Sequence, residues 1–115
     1  MKIKKLPTLK ERGRYIVFKI HSKEGLDFTD VKNSLWNSIL NFLGEEQTAR
    51  AGVRIIRNLW KTKSGTGFLK CNHIYVDKIK VALGLISQIG DSKVIVQTLR
   101  VSGTIKSANK KMGKA

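Results

Sequence analysis

Residues 53–73 read VRIIRNLWKTKSGTGFLKCNH, and the fold turns on them. From Val53 to Trp60 the side chains alternate: Val53, Ile55 and Leu59 against Arg54, Ile56, Asn58 and Trp60. That period of two is a strand. Lys61 to Gly67 is a turn by composition, and Phe68 to His73 returns as another strand. The result is a hairpin in mid-chain, with a helical pattern on either side. Upstream, Val31, Leu35, Ile39 and Phe42 recur at four, four and three, widened by Trp36, Leu40 and Leu43. This spacing predicts a helix over 28–43, capped by Asp27 or Thr29 and stopped by Gly44, with Glu45 to Ala51 as loop. Downstream, Val76, Ile79, Leu83 and Ile86 predict a second helix over 75–89, ended by Gly90. The outer segments, Arg14–Ile20 and Lys93–Val101, carry β-branched residues and read as the first and last strands. On the first, Ile16, Phe18 and Ile20 share one face, and Tyr15, Val17 and Lys19 the other.

The order β-α-β-β-α-β predicts an α+β, ferredoxin-like or RRM-like sandwich: one antiparallel sheet with both helices on one face. The first and third strands lie centrally, and the fourth lies beside the first. A chain of 115 residues suits one domain. The expected division is a basic N-terminal arm over 1–13, a folded core over 14–101 and a basic segment over 102–115.

Charge bounds the function. Lys and Arg total 23 against 8 acids, a formal net charge of +15. Such an excess costs self-repulsion in a compact domain, so a polyanionic partner is the natural reading, nucleic acid first. Neither predicted helix has the lysine-lined polar face that a membrane-surface helix needs. Cys71 is the one cysteine, which excludes an internal disulfide and fits a reducing compartment. The apolar runs are too short to cross a bilayer, and no apolar signal core follows the basic N-terminus, so a cytoplasmic location is expected.

Catalytic residues are scarce. Cys71-Asn72-His73 places a thiol and an imidazole two apart on the predicted strand, as a nucleophile–base pair or two metal ligands would need. Zinc asks for three or four ligands, and no second Cys/His cluster follows; a small core cysteine and a strand-end histidine account for the pair. Glu45 and Glu46 are chain neighbours and do not converge across a substrate, while Asp27, Asp30 and Asp77 sit where helix starts favour acids. Acylphosphatases share this element order, but His21-Ser22-Lys23 supplies neither their arginine nor a glycine-rich cradle. No catalytic residue and no protein-bound metal is expected.

Three basic clusters stand out among the cations. Lys4, Lys5, Lys10, Arg12 and Arg14 form the first arm; Lys61, Lys63 and Lys70 surround the hairpin; Arg100, Lys106, Lys110 and Lys111 mark the end of the chain. Because the fourth strand neighbours the first, both arms add their fields at one sheet. Tyr15 and Phe68 are candidates for base stacking, and KSGTGFLK (63–70) is a poor match to the RRM aromatic motif. Phosphate and shape recognition is therefore expected over stacking. Trp36 widens the helix stripe beyond what one sheet face covers, and Ile56 and Trp60 fall on the face away from the helices. These three are expected at a protein interface.

Several stretches resemble the ribonuclease P protein component 2 family of archaea and eukaryotes. TLRVSGTIKSANKK (98–111) is similar to its terminal signature, in which a strand ends in VSGTIK and enters a basic segment. LPTLKERGRYIVFKI (6–20) resembles the family's basic arm and first strand, LWNSILNFLGE (35–45) its first helix, and LKCNHIYVDKIKVALGLI (69–86) its third strand and following helix. Glu45-Glu46-Gln47 and the hairpin tip depart from the pattern. The resemblance implies an RNA-binding subunit of the ribonucleoprotein that removes 5′ leaders from precursor tRNA. It implies that the RNA subunit performs the hydrolysis with its own bound Mg²⁺, and that the protein pairs with component 3, two copies of each. The alternative is a protein-interaction or scaffold subunit of another RNA-processing or ribosomal complex. In either case Gly103 would let backbone approach a phosphate, with Ser102 and Thr104 as donors.

Overall fold

A computed structural model describes residues 13–23 and 25–104. Lys4, Lys5, Lys10, Arg12, Lys106, Lys110 and Lys111 lie outside the described residues. In chain order the elements are β1 (Gly13–His21), α1 (Phe28–Ala51), β2 (Arg54–Lys61), β3 (Thr66–Asn72), α2 (Val76–Gly84), β4 (Gln88–Ile89), β5 (Ser92–Lys93) and β6 (Ile95–Ser102). Four strands form one antiparallel sheet in the order β2-β3-β1-β6. This is the expected ferredoxin-like arrangement, with β1 and β3 central.

The alternation in β1 does the sorting. Ile16, Phe18 and Ile20 face the helices and meet Leu69 and Cys71 of β3, Val31, Leu35 and Ile39 of α1, and Ile79, Ala82 and Leu83 of α2. Each such large side chain contributes roughly 1.5–3 kcal/mol by leaving water. The helices also touch through a polar contact: the Ser38 hydroxyl donates to the Ala82 carbonyl at 2.6 Å. Asp27 is the N-cap of α1 and accepts from the Thr29 N–H.

Three expectations about the helices and strand ends change. Gly44 leaves the helical path (φ 85, ψ 166), yet the chain resumes its helix and runs to Ala51, so the expected loop over 45–51 is a second helical segment. Glu45 and Glu46 begin that segment, where a helix favours negative charge. Glu46 pairs with Arg50 at 2.7 Å, and Thr48 and Ala51 are buried. Its stop is Gly52, in the left-handed region at φ 60. The second helix ends at Gly84, earlier than its apolar stripe suggests. Beyond it, Gly90 takes φ 61 and turns β4 into β5, a two-residue Gly-Asp hairpin loop. Ile86 and Ile89 are buried all the same, which is why the periodicity seemed to continue. Finally, β3 stops at Asn72, so His73 opens a 3-10 turn and does not share a strand face with Cys71.

Two irregularities control which way side chains point. Between Ile56 and Lys61 the β2–β3 register shifts: five steps along β2 answer two along β3. That is an odd offset of three, so residues after it face the opposite side. Ile56 stays on the face away from the helices, whereas Trp60 turns to the helix side and joins the core, its ring centroid 6.2 Å from that of Phe28. The expectation that both lie on the open face is corrected for Trp60. In β6, Leu99 is the extra residue of a bulge between the Phe18–Thr98 and Val17–Arg100 pairs, and the bulge turns Arg100 to the open face beside Val17.

Candidate nucleic-acid interface

The strands of the main sheet carry Arg14, Lys19, Arg54, Arg57, Lys61, Lys70 and Arg100, and not one carboxylate. The described acids, Asp27, Asp30, Glu45, Glu46, Asp77 and Asp91, all lie on the helices and their connections. Helix starts account for Asp27, Asp30, Glu45, Glu46 and Asp77, Asp91 sits in the β4–β5 turn, and none falls on a strand of the main sheet. The ion pair found among the described residues, Arg50–Glu46, belongs to the helix layer as well. Without internal counter-charge, the sheet's cations hold a positive potential that an external polyanion can neutralise.

Strand register arranges these groups in rows across the open face. Arg54, Lys70, Tyr15 and Ser102 form one row; Ile56, Phe68, Val17 and Arg100 the next; Lys61, Thr66, Lys19 and Gln97 the third. The middle row is apolar until it reaches Arg100. Val17 and Phe68 are buried there and pack with Ile56 and Leu59, so Phe68 offers no stacking surface. Arg100 is half-buried, and its Nε is fully enclosed with no hydrogen-bond partner. In the first row the Lys70 ammonium stands 5.5 Å from the Tyr15 ring centroid.

Apart from Arg100 in the middle row, the described cations and turn residues singled out from sequence gather at the two ends of the strands. At one end Arg14 lies beside the final turn: its Nη1 would be 3.9 Å from a β-carbon on Gly103. The Ser102 hydroxyl is committed to that turn, accepting from the Thr104 N–H at 3.3 Å and donating to its carbonyl at 3.0 Å. Ser102 thereby shapes the turn, and Gly103 and Thr104 are what it exposes. At the other end Lys63 lines a hollow of about 380 Å³ with Lys19, Lys23 and Ser64, and Lys61 ends β2 next to it. The nine residues of β1 separate the ends by roughly 25–30 Å. Sequence reasoning passed over Arg54, in the row of Tyr15 and Ser102, and Arg57, further along β2. Their signal was present: the R-I-I-R spacing inside a strand puts cations on β2 without any charge cluster in sequence.

Cys71 is 1 % exposed, and burial pushes its thiol from the usual 9.0 up to about 11. At pH 8 the thiolate fraction is then about one in a thousand. The native chain should react with a thiol-labelling reagent at pH 8 at least a hundredfold more slowly than the urea-unfolded chain; equal rates would show that the thiol is open to solvent. A group raised in the folded state stabilises fully below its unfolded value. This contribution is therefore complete below about pH 9 and lost as pH climbs towards 11.

Of the three residues expected at a protein interface, Trp36 is 38 % exposed on α1. Ile56 belongs to the open-face cluster and Trp60 to the core. The helix layer further exposes Phe42 on α1, Val81 on α2 and Leu85 at the C-terminal cap of α2. Among the described residues no helix is long and apolar enough to cross a membrane.

Comparison with known proteins bears on this architecture. The model of the Rpp14/Pop5 family matches residues 14–113. Ribonuclease P protein component 2 of Pyrococcus abyssi is 41 % identical over 112 residues, covering 96 % of this chain and 93 % of that protein. The protein of the same name from Pyrococcus horikoshii is 40 % identical over 111 residues, covering 96 % and 91 %. That from Methanobrevibacter smithii is 33 % identical over 116 residues, covering 96 % and 97 %. A chain in the cryo-EM structure of yeast ribonuclease MRP superposes with a TM-score of 0.61 at 15 % identity, covering 91 % of this chain and 94 % of that one, a likeness of fold. The matched stretch runs from the first strand past the last, and at these identities the chain belongs to the Rpp14/Pop5 family.

Proposed function

We propose that this chain is an RNA-binding, non-catalytic subunit of ribonuclease P, supporting RNA-catalysed removal of 5′ leaders from precursor tRNA. One observation carries the reading: a sheet face with cations in every row and no carboxylate on any of its strands. The name of its relatives agrees with it. In this reading the Mg²⁺ ions that serve hydrolysis sit on the RNA, and the protein supplies counter-charge and shape. The sheet face meets RNA, with both basic arms adding to its field. The helix layer, where Trp36, Phe42 and Leu85 are exposed, meets protein, with component 3 as partner in two copies of each. The setting is cytoplasmic.

Reconstitution tests this. The RNA subunit with component 3, with and without this chain, is assayed for precursor tRNA cleavage at modest Mg²⁺. Addition of the chain should raise the rate at least tenfold, and the purified chain alone should cut nothing. No stimulation, or cleavage by the protein freed of RNA, would overturn the reading. The competing reading, a scaffold subunit whose RNA contacts are incidental, draws on the same exposed side chains of the helix layer. It predicts that the isolated chain binds structured RNA only weakly near physiological salt, whereas the RNA-binding reading predicts tight binding there that weakens steeply as salt is raised, because phosphate contacts release counterions.

A further inference from the structure

The register shift in β2 has a spatial result at the sheet's edge. Arg57 to Trp60 have no ladder partners on β3, and beside this interruption the open face dips into a groove of about 350 Å³. Tyr15, Arg54, Ile56, Arg57, Asn58 and Lys70 line it. Bulges often re-aim side chains at functional sites, and this one brings Arg57 and Asn58 to the rim of a row that already holds Arg54, Lys70 and Tyr15. Arg57 is held from the side, its guanidinium 5.5 Å from the Phe28 ring centroid.

The lining is more than a phosphate needs. Arg54 and Lys70 account for an anion, the Arg57 guanidinium being engaged with the Phe28 ring. Ile56 and the Tyr15 ring add an apolar floor and an aromatic wall, and the Asn58 amide can both donate and accept. A planar heterocycle with polar edges, joined to an anion, matches all of these groups. The Lys70 ammonium stands 5.5 Å from the Tyr15 ring centroid, so one ligand can engage both. The volume falls within the range of small-ligand sites. A base inside a duplex is stacked and paired and cannot enter; an unpaired one can, since proteins read single-stranded bases by stacking and by their exposed edges.

We propose that this groove binds one unpaired nucleotide of the RNA, with its phosphate between Arg54 and Lys70, its base against Tyr15 and its base edge at Asn58. The inference rests on the RNA-binding reading above and adds the class of RNA element that the sheet recognises. It also revises the expectation that recognition is by phosphate and shape alone, at this one position.

The test uses the full chain and two hairpin RNAs that differ by one unpaired uridine in the stem; the other three bases are then placed at the same position. The bulged hairpin should bind about tenfold more tightly than the fully paired one, the size of one base–aromatic contact. Asn58→Ala should remove most of that preference while leaving the paired hairpin's affinity unchanged, and Tyr15→Leu should remove it as well. Asn58 is exposed at an edge strand, so its replacement does not threaten the fold. Arg54→Ala should weaken both RNAs together. A 4-thiouridine at the bulge should cross-link within the groove. Equal, salt-dependent affinity for both hairpins in all variants would overturn the nucleotide site and leave RNA binding standing. Failure to bind either hairpin would overturn both.

Discussion

An Arg54→Ala, Lys70→Ala, Arg100→Ala variant should bind structured RNA about a hundredfold more weakly than the parent chain near physiological salt. Each charge–phosphate contact is worth about 1 kcal/mol, and three together give roughly two decades. The slope of log affinity against log salt should also become shallower by about two to three, because each lost contact leaves its counterions in place. The three residues come from β2, β3 and β6, and register brings them to one face. The control is Lys32→Ala, Lys78→Ala, Lys80→Ala, which removes the same charge from the helix layer, where all three lysines are exposed. That variant should lose less than threefold. Equal losses in both would mean that RNA responds to the net charge of +15 and not to the sheet. No loss in either would place binding on the segments flanking the described residues. Fluorescence anisotropy across a salt series reads both quantities.

The second large effect falls on stability. Gly65 sits in the β2–β3 turn at φ 70, and a β-carbon there would stand 2.5 Å from the Ile20 carbonyl oxygen. Its own carbonyl accepts from the Ile20 N–H at 2.8 Å, and its N–H donates to the Lys61 carbonyl at 2.8 Å. Gly65→Ala therefore meets three penalties at once: a left-handed backbone costing about 1–2 kcal/mol, a collision with backbone that can be relieved only by moving β1, and a strained turn-to-strand hydrogen bond. The expected loss is about 3–5 kcal/mol, a large share of the stability of a domain this size, and roughly 15 °C or more in Tm. Gly84→Ala is the counter-experiment. It lies at the end of α2 with nothing within 4 Å of an added β-carbon and without positive φ, so it should stabilise by about 0.5 kcal/mol. Urea denaturation measures both. An unperturbed Gly65→Ala protein would mean that the turn does not dock on β1 as described.

Much of this molecule is legible in its sequence, for identifiable reasons. The β1 alternation separated Ile16, Phe18 and Ile20 from Tyr15, Val17 and Lys19 correctly, because a regular strand has a period of two and nothing interrupts it. The stripe of Val31, Leu35 and Ile39 located α1 for the same kind of reason. Gly44 was misleading because a glycine that stops one helix does not forbid another. Glu45, Glu46 and Arg50 restart it with charge and an ion pair, interactions weaker than an apolar stripe and harder to see. Trp60 lies on the face opposite to that expected because the bulge in β2 breaks the strand's parity. A bulge leaves no mark in composition; it exists only where two strands of unequal length must share one ladder.

Element order, helix stripes, net charge and the scarcity of paired catalytic groups were determined by the chain's own chemistry, since each depends on residue type and local spacing. Which cations stand together was decided by the tertiary structure alone. Arg54, Lys70 and Arg100 are far apart in sequence, and they meet because strand pairing brings their rows into line. The odd insertions in β2 and β6 depend on the partner strand, and they set the direction of Arg100, Arg57 and Asn58.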